Sequence, residues 1–225
     1  MVFISGDTHG NFEKIYNFAK KMRLSMGDSI IILGDMGLCW RKDMQDFYYN
    51  IQLWENFEYK CNLFWLEGNH ENYDIIQKLP KEGNMRKCSN SIYMLERGQV
   101  YNFEGKKILT IGGADSVDKF RRVKHLSWWE QEQINDDDVA AALAHRGERL
   151  DYIFSHAAPA AIVDKYKYIL CQLPLDEDAI DRTSENKLEI LRQNLSFEKW
   201  GFGHYHVDIH LDDTYFCLFD TFEEI

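Results

Sequence analysis

A chain of 225 residues with 45% hydrophobic and 14% aromatic side chains, three prolines and no low-complexity tract belongs among compact globular proteins rather than disordered or fibrous ones. Its net charge of −11 makes the average surface repel phosphate backbones, so non-specific binding to long nucleic acid is disfavoured. No apolar run reaches the ~18 residues of a membrane span, and Met1 to Ile4 meets Ser5-Gly6-Asp7 too soon for a signal-peptide core, so the expected location is cytoplasmic.

Val2 to Ser5 reads as a buried strand that breaks at Gly6-Asp7-Thr8-His9-Gly10. Phe12, Ile15, Phe18 and Ala19 then recur at helical spacing up to Met22. Ile30 to Leu33 repeats the grammar and ends at Gly34-Asp35, after which Phe47, Ile51, Trp54 and Phe57 mark a helix within Met44 to Tyr59. Leu63 to Leu66 is a third strand, ending at Gly68-Asn69-His70-Glu71, with a helix expected from Asn72 to Lys78 before Pro80. This alternation is that of an α/β fold.

From Ser91 the rhythm changes, and Ile92 to Leu95, Val100 to Phe103 and Ile108 to Ile111 read as short antiparallel strands or hairpins. The stretch from Ala114 to Gln133 carries Lys119, Arg121, Arg122 and Trp128-Trp129, and the acid-rich Glu130 to Asp138 reads as a solvated face. A helix is expected from Asp137 to His145, a strand from Tyr152 to Ser155 ending at His156, and a helix beyond Pro159. Leu170 to Ser184 is polar and aperiodic, Asn186 to Leu195 helical, and Trp200 to Phe202 a strand ending at Gly203-His204-Tyr205-His206. The tail from Val207 to Phe222 suits two strands turning at Asp212-Asp213. The reading is one domain over residues 1–225, with surface insertions at 114–135 and 168–185. The five cysteines form no CxxC pair and read as reduced thiols.

Five apolar runs thus end in metal-compatible side chains: Asp7 with His9, Asp35, Asn69 with His70, His156, and His204 with His206. In open α/β sheets ligands lie beyond the carboxyl ends of strands, which is where these groups converge. Asp7 and His9 lie two apart, a spacing that turns both side chains to one side, and His204 and His206 repeat it. So many oxygen and imidazole donors exceed the four of a structural zinc, and no cysteine joins them. Two divalent ions are expected, with Mn²⁺ favoured and Fe, Zn²⁺ or Co²⁺ as alternatives.

The ordered motifs Gly6-Asp7-Thr8-His9-Gly10, Gly34-Asp35, Gly68-Asn69-His70-Glu71, Ser155-His156 and Gly203-His204-Tyr205-His206 resemble those of the calcineurin-like metallophosphoesterase superfamily, most closely its small bacterial and phage-type members. The resemblance implies a four-layer αββα sandwich, two mixed β-sheets packed face to face with helices outside. By it, Asp7, His9 and His206 bind one metal, Asn69, His156 and His204 bind the other, and Asp35 bridges. His70 would assist the leaving group while a metal-bound hydroxide attacks a phosphate monoester or diester in line. Arg121 and Arg122 are candidate substrate contacts, and Trp128-Trp129 either a substrate-facing pair or core. The expected substrate is small and phosphorylated, a nucleotide among the options. A nucleotide-specific hydrolase or nuclease on the same site is the alternative, and a non-catalytic scaffold of this fold a more distant one. One departure matters: the protein serine/threonine phosphatases follow Asp35 with an Asp-Arg-Gly that orients the histidine and holds phosphate, whereas here Met36-Gly37-Leu38 follows. His70 needs another orienting partner.

Overall fold

The early apolar runs are continuous because their strands are buried on both faces, as parallel strands are. In the computed structural model, which describes residues 1–170 and 181–225, β1 (Val2–Ser5), β2 (Ser29–Ile32) and β3 (Asn62–Trp65) are parallel neighbours. α1 (Phe12–Met22) and α2 (Gln45–Glu55) connect them, and the short α3 (Tyr73–Ile76) follows. The helix expected up to Tyr59 ends at Glu55, and that expected up to Lys78 keeps a single turn.

Next come β4 (Lys81–Glu82), β5 (Met85–Lys87), β6 (Ile92–Leu95), β7 (Gln99–Phe103) and β8 (Lys106–Ile111). Only part of the antiparallel expectation stands. β7 and β8 form a hairpin, but β6 runs parallel to β3 in the first sheet, with β5 antiparallel on its other side. The turn at Arg97-Gly98 carries the chain from one sheet to the other.

α4 (Asp136–Leu143) starts at Asn135, whose side chain accepts from the Asp138 N–H while Asp138 accepts from the Asn135 N–H. β9 (Arg149–Ser155), α5 (Ala160–Leu170), α6 (Thr183–Asn194) and β10 (Ser196–Phe202) follow, then β11 (Ile209–His210), β12 (Tyr215–Cys217) and β13 (Phe222–Glu224). Of the aperiodic stretch expected from Leu170 to Ser184, residues 171–180 lie outside the described residues. Among the described residues, no helix is long and apolar enough to cross a membrane, and the four described cysteines are free.

The strands form a seven-stranded sheet, β13-β1-β2-β3-β6-β5-β4, and a six-stranded one, β11-β12-β10-β9-β8-β7. Alternation along each strand divides the core into three layers. Ile4, Ile31 and Leu33 meet Ile108, Phe154 and Phe216 between the sheets. Phe3, Ile30, Ile32 and Trp65 pack under α1 and α2, and Leu109, Ile153 and Trp200 under α4 to α6. Layers run helix, sheet, sheet, helix, as the resemblance implied.

The parallel strands β1, β2 and β3 of one sheet and β9 and β10 of the other all end beside the motif residues. Two buried bonds in series tie this end to the core: Trp200 Nε1 donates to Ser155 Oγ at 2.7 Å, and Ser155 Oγ donates to the Ala157 carbonyl at 2.6 Å. Trp200→Phe removes that donor and some buried volume, with an expected loss of about 1–3 kcal/mol. Equilibrium urea denaturation checks this through a lower midpoint at unchanged slope.

Candidate metal centre

Backbone strain marks the site before any side chain is considered. His9, Asp35, His204 and His206 all have positive φ, between 46° and 67°, a region non-glycine residues rarely occupy. The loops are bent because each must turn a polar side chain back over the end of its own strand. Gly68 leaves room for one of these residues: a Cβ there would collide with Asp35 Oδ1 and sit 2.6 Å from the Asp35 amide nitrogen. At Gly34, with φ of 100°, a Cβ would strike the His156 ring.

These turns bring the expected residues together. Ligand atoms of Asp7, His9 and His206 lie within 4.8 Å of one another, as do those of Asp7, Asp35 and His156. His156 Nε2 is 3.4 Å from Asp35 Oδ2 and 3.2 Å from Asn69 Oδ1. The His204 ring lies 5.0 Å from that of His156, and its backbone N–H donates to Asp7 Oδ1 at 2.9 Å. Asp35 Oδ1 accepts from the His70 N–H at 2.8 Å, while Oδ2 lies 3.8 Å from His9 Nδ1.

The chemistry of this donor set fits divalent cations. His156 Nδ1–H donates to the Leu33 carbonyl at 2.8 Å, so in the neutral ring Nε2 is a lone pair. That lone pair faces two further acceptors, Asp35 Oδ2 and Asn69 Oδ1, and such a meeting is stable only around positive charge. Asp7 Oδ2 is buried without a hydrogen-bond partner, 3.2 Å from His206 Nε2 and 3.6 Å from His9 Nε2, which are themselves 3.0 Å apart.

Protonation tells the same story. Burial favours a neutral His156, yet the facing Asp35 and Asp7 carboxylates raise its pKa to about 9. For Asp7 and Asp35 burial opposes ionisation, and His156 nonetheless holds both below the ordinary range. His204, partly withdrawn from water and beside His156, is lowered to about 3, by desolvation first and then by that neighbour's charge. The pocket demands a cation, and a single proton on His156 meets only part of that demand.

His70 stands beside this cluster. Its ring packs edge-on to His9 at 5.3 Å and is tilted against Trp40 at 5.8 Å. Arg122 Nη2 lies 3.1 Å from His70 Nε2 and 3.4 Å from Nδ1. The Arg122 guanidinium is held from behind by Asp118 at 2.7 Å, and its Nη1 donates to the Asn69 carbonyl at 3.2 Å. Burial lowers the His70 pKa, Asp35 opposes this, and Arg122 lowers it further.

Other expectations divide. Arg121 is exposed, with its guanidinium 5.1 Å over the neighbouring Phe120 ring, whereas Arg122 meets His70. Trp129 is core, and Trp128 lies beneath Lys119 at 4.7 Å, so the indole beside the site is Trp40, which no motif in the sequence marks. Glu130 to Asp138 is not uniformly solvated: Glu132 and Ile134 are buried. Glu132 Oε2 accepts from Ser116 Oγ at 2.5 Å, and Ser116 Oγ in turn accepts from Asn69 Nδ2 at 3.2 Å. Burial lifts the Glu132 pKa to about 7 against the pull of Ser116 and the Trp129 N–H. Glu71 is buried and accepts from the Gly37 N–H at 3.3 Å, with its pKa raised well up by burial.

Because Gly68 leaves no room beside Asp35, Gly68→Ala is expected to stay folded by circular dichroism yet bind Mn²⁺ about 10–100-fold more weakly in titration calorimetry.

No curated protein matches the chain. Among solved structures, a protein of unknown function from Aquifex aeolicus is similar at 16% identity over 70% of this chain and 80% of that one, with a TM-score of 0.34. Residues 1–208 match the calcineurin-like phosphoesterase family, and the chain belongs to that family of metal-dependent phosphoester hydrolases.

Proposed function

We propose that the protein hydrolyses a small phosphate monoester or diester at a dinuclear divalent-metal centre. The supporting observation is the meeting of buried Asp7 and Asp35 carboxylates with lone-pair donors of His9, Asn69, His156 and His206. Asp7, His9 and His206 would hold one ion, Asn69, His156 and His204 the other, and Asp35 would stand between them. Mn²⁺ suits this mixed nitrogen and oxygen set, and Fe, Zn²⁺ and Co²⁺ share the preference. When bound, such a pair takes up negative charge on phosphoryl oxygens and makes water a nucleophile near neutral pH.

The protein's own groups account for the rest. An arginine can only donate, so the His70 nitrogen that meets Arg122 must accept. With the nearer Nε2 as acceptor, the ring proton is held at Nδ1. His70 is therefore a neutral N–H donor, available to a leaving-group oxygen as charge develops there. Arg122 takes the part of the missing Asp-Arg pair: it fixes the His70 ring and brings a positive charge to the site. Arg121 has no such support.

Among small substrates, those with an aromatic leaving group are favoured, because Trp40 packs on His70 and is still 36% exposed. It offers a face for a nucleobase or aryl ring, which supports the nucleotide reading. The net charge of −11 argues against long nucleic acid.

The test is turnover of an aryl phosphate ester with Mn²⁺. His70→Ala should keep its metal content and lose about 10²–10⁴ in kcat, and unchanged turnover would overturn the assigned role. A panel of monoesters, diesters, dinucleotides and single-stranded oligonucleotides then identifies the class. Trp40→Ala should raise KM for nucleotide and aryl substrates by about 10-fold, the worth of one stacked ring, and leave simple alkyl phosphates unaffected.

A further inference from the structure

An asparagine ligand poses a problem a carboxylate does not. Its side chain is nearly symmetric in shape, but only one end, Oδ1, has lone pairs for a cation; the NH₂ end repels it. Something must choose the end. Asn69 is buried, so water cannot decide.

We propose that Glu132, acting through Ser116, is the positioning residue that sets the orientation of Asn69. Glu132 is fully buried, and its Oε1 accepts from the Trp129 N–H at 3.2 Å. Its Oε2 takes the hydroxyl proton of Ser116 in a hydrogen bond at 2.5 Å. A serine hydroxyl has one proton. With that proton committed to Glu132, Ser116 turns a lone pair to Asn69 and can only accept, so the amide presents Nδ2 to it at 3.2 Å. Oδ1 is then left facing His156 Nε2, where positive charge is required. Arg122 Nη1, 3.9 Å from Glu132 Oε1, also donates to the Asn69 carbonyl, so the same segment fixes the residue's backbone.

This relay rests on the dinuclear reading and adds to it residues outside the ligand motifs. Through it the 115–132 stretch carries the polarity that the centre needs from a carboxylate to an amide two hydrogen bonds away.

The relay predicts a reversal that no packing role predicts. In Glu132→Gln the shape is kept. The Trp129 N–H retains the glutamine oxygen on its side, so the glutamine NH₂ faces Ser116. Ser116 then accepts from it, and its proton, no longer committed to residue 132, is free to donate toward residue 69, which favours the orientation that turns the Asn69 NH₂ into the metal site. A carboxylate at 69 has no wrong end, so Asn69→Asp should repair the damage.

The experiment is Mn²⁺ titration calorimetry at pH 8 on wild type, E132Q, S116A, N69D and N69D/E132Q, with thermal melting in a chelator to confirm folding. Wild type should bind two ions. E132Q should bind one of them about 10–100-fold more weakly at unchanged chelated stability, and N69D/E132Q should bind it at least ~10-fold more tightly than E132Q. S116A, which removes the acceptor, should weaken the same ion. If wild type binds two ions and E132Q binds both equally well, the relay is wrong while the metal centre stands. No rescue by N69D, with all variants folded, would reduce Glu132 to a packing role. A wild type that binds no metal would overturn the underlying reading instead.

Discussion

Two carboxylates buried beneath a ring of imidazoles govern this structure. Removing Asp7 and Asp35 from water costs several kcal/mol each unless positive charge meets them, and among the described residues their ion-pair partners are all histidines, with no lysine or arginine side chain joining them. Left-handed backbone at four site residues is the mechanical counterpart of this electrostatic demand, with roughly 1–3 kcal/mol of strain at each. Rigid sheets on both sides sustain that strain. The three core layers thus serve a cluster that is unfavourable on its own and becomes favourable when cations arrive.

Much of this was legible in the sequence, for a physical reason. Strands buried on both faces must be apolar throughout, so the point where polarity returns is also the point where the strand ends and the ligand-bearing loop begins. Asp7, Asp35, Asn69, His156 and His204 could be found without any knowledge of pairing. The partner of each strand could not: Ile92 to Leu95 reads the same whether it pairs with β3 or with β7, because four apolar residues encode burial and not neighbours. β13 was hidden for a related reason, since Phe222-Glu223-Glu224 has little apolar pattern and is held by β1 and by Phe222 stacked on Phe18 at 4.0 Å.

What surrounds the centre was less visible still. Ser116 and Glu132 reach it from a part of the chain far from the motifs, Trp40 lies five residues beyond Asp35 with no motif to mark it, and Arg122 could not be told from its neighbour Arg121 by spacing. Glu132 lies in a run of acids that solvent would ordinarily cover, yet it is fully buried because Ser116 and the Trp129 N–H satisfy its oxygens. Only the departure after Asp35 gave a hint: an absent orienting group implied a replacement, without its address. In the proposed reading the segment between β8 and α4 supplies it, through Arg122 against the His70 ring.

The pairing of β1 with β13 has a bearing on how the protein is made. Ser5 Oγ, at the end of the strand that presents Asp7, donates to the Thr221 carbonyl at 2.7 Å, across 216 residues of chain. During synthesis β1 emerges before β13, its outer neighbour, which leaves the ribosome more than two hundred residues later. Closure of so long a loop is slow and comes late. The pairing of β1 with β13 is therefore expected among the later steps of folding, and with it the final placement of the loop that carries the first aspartate of the centre.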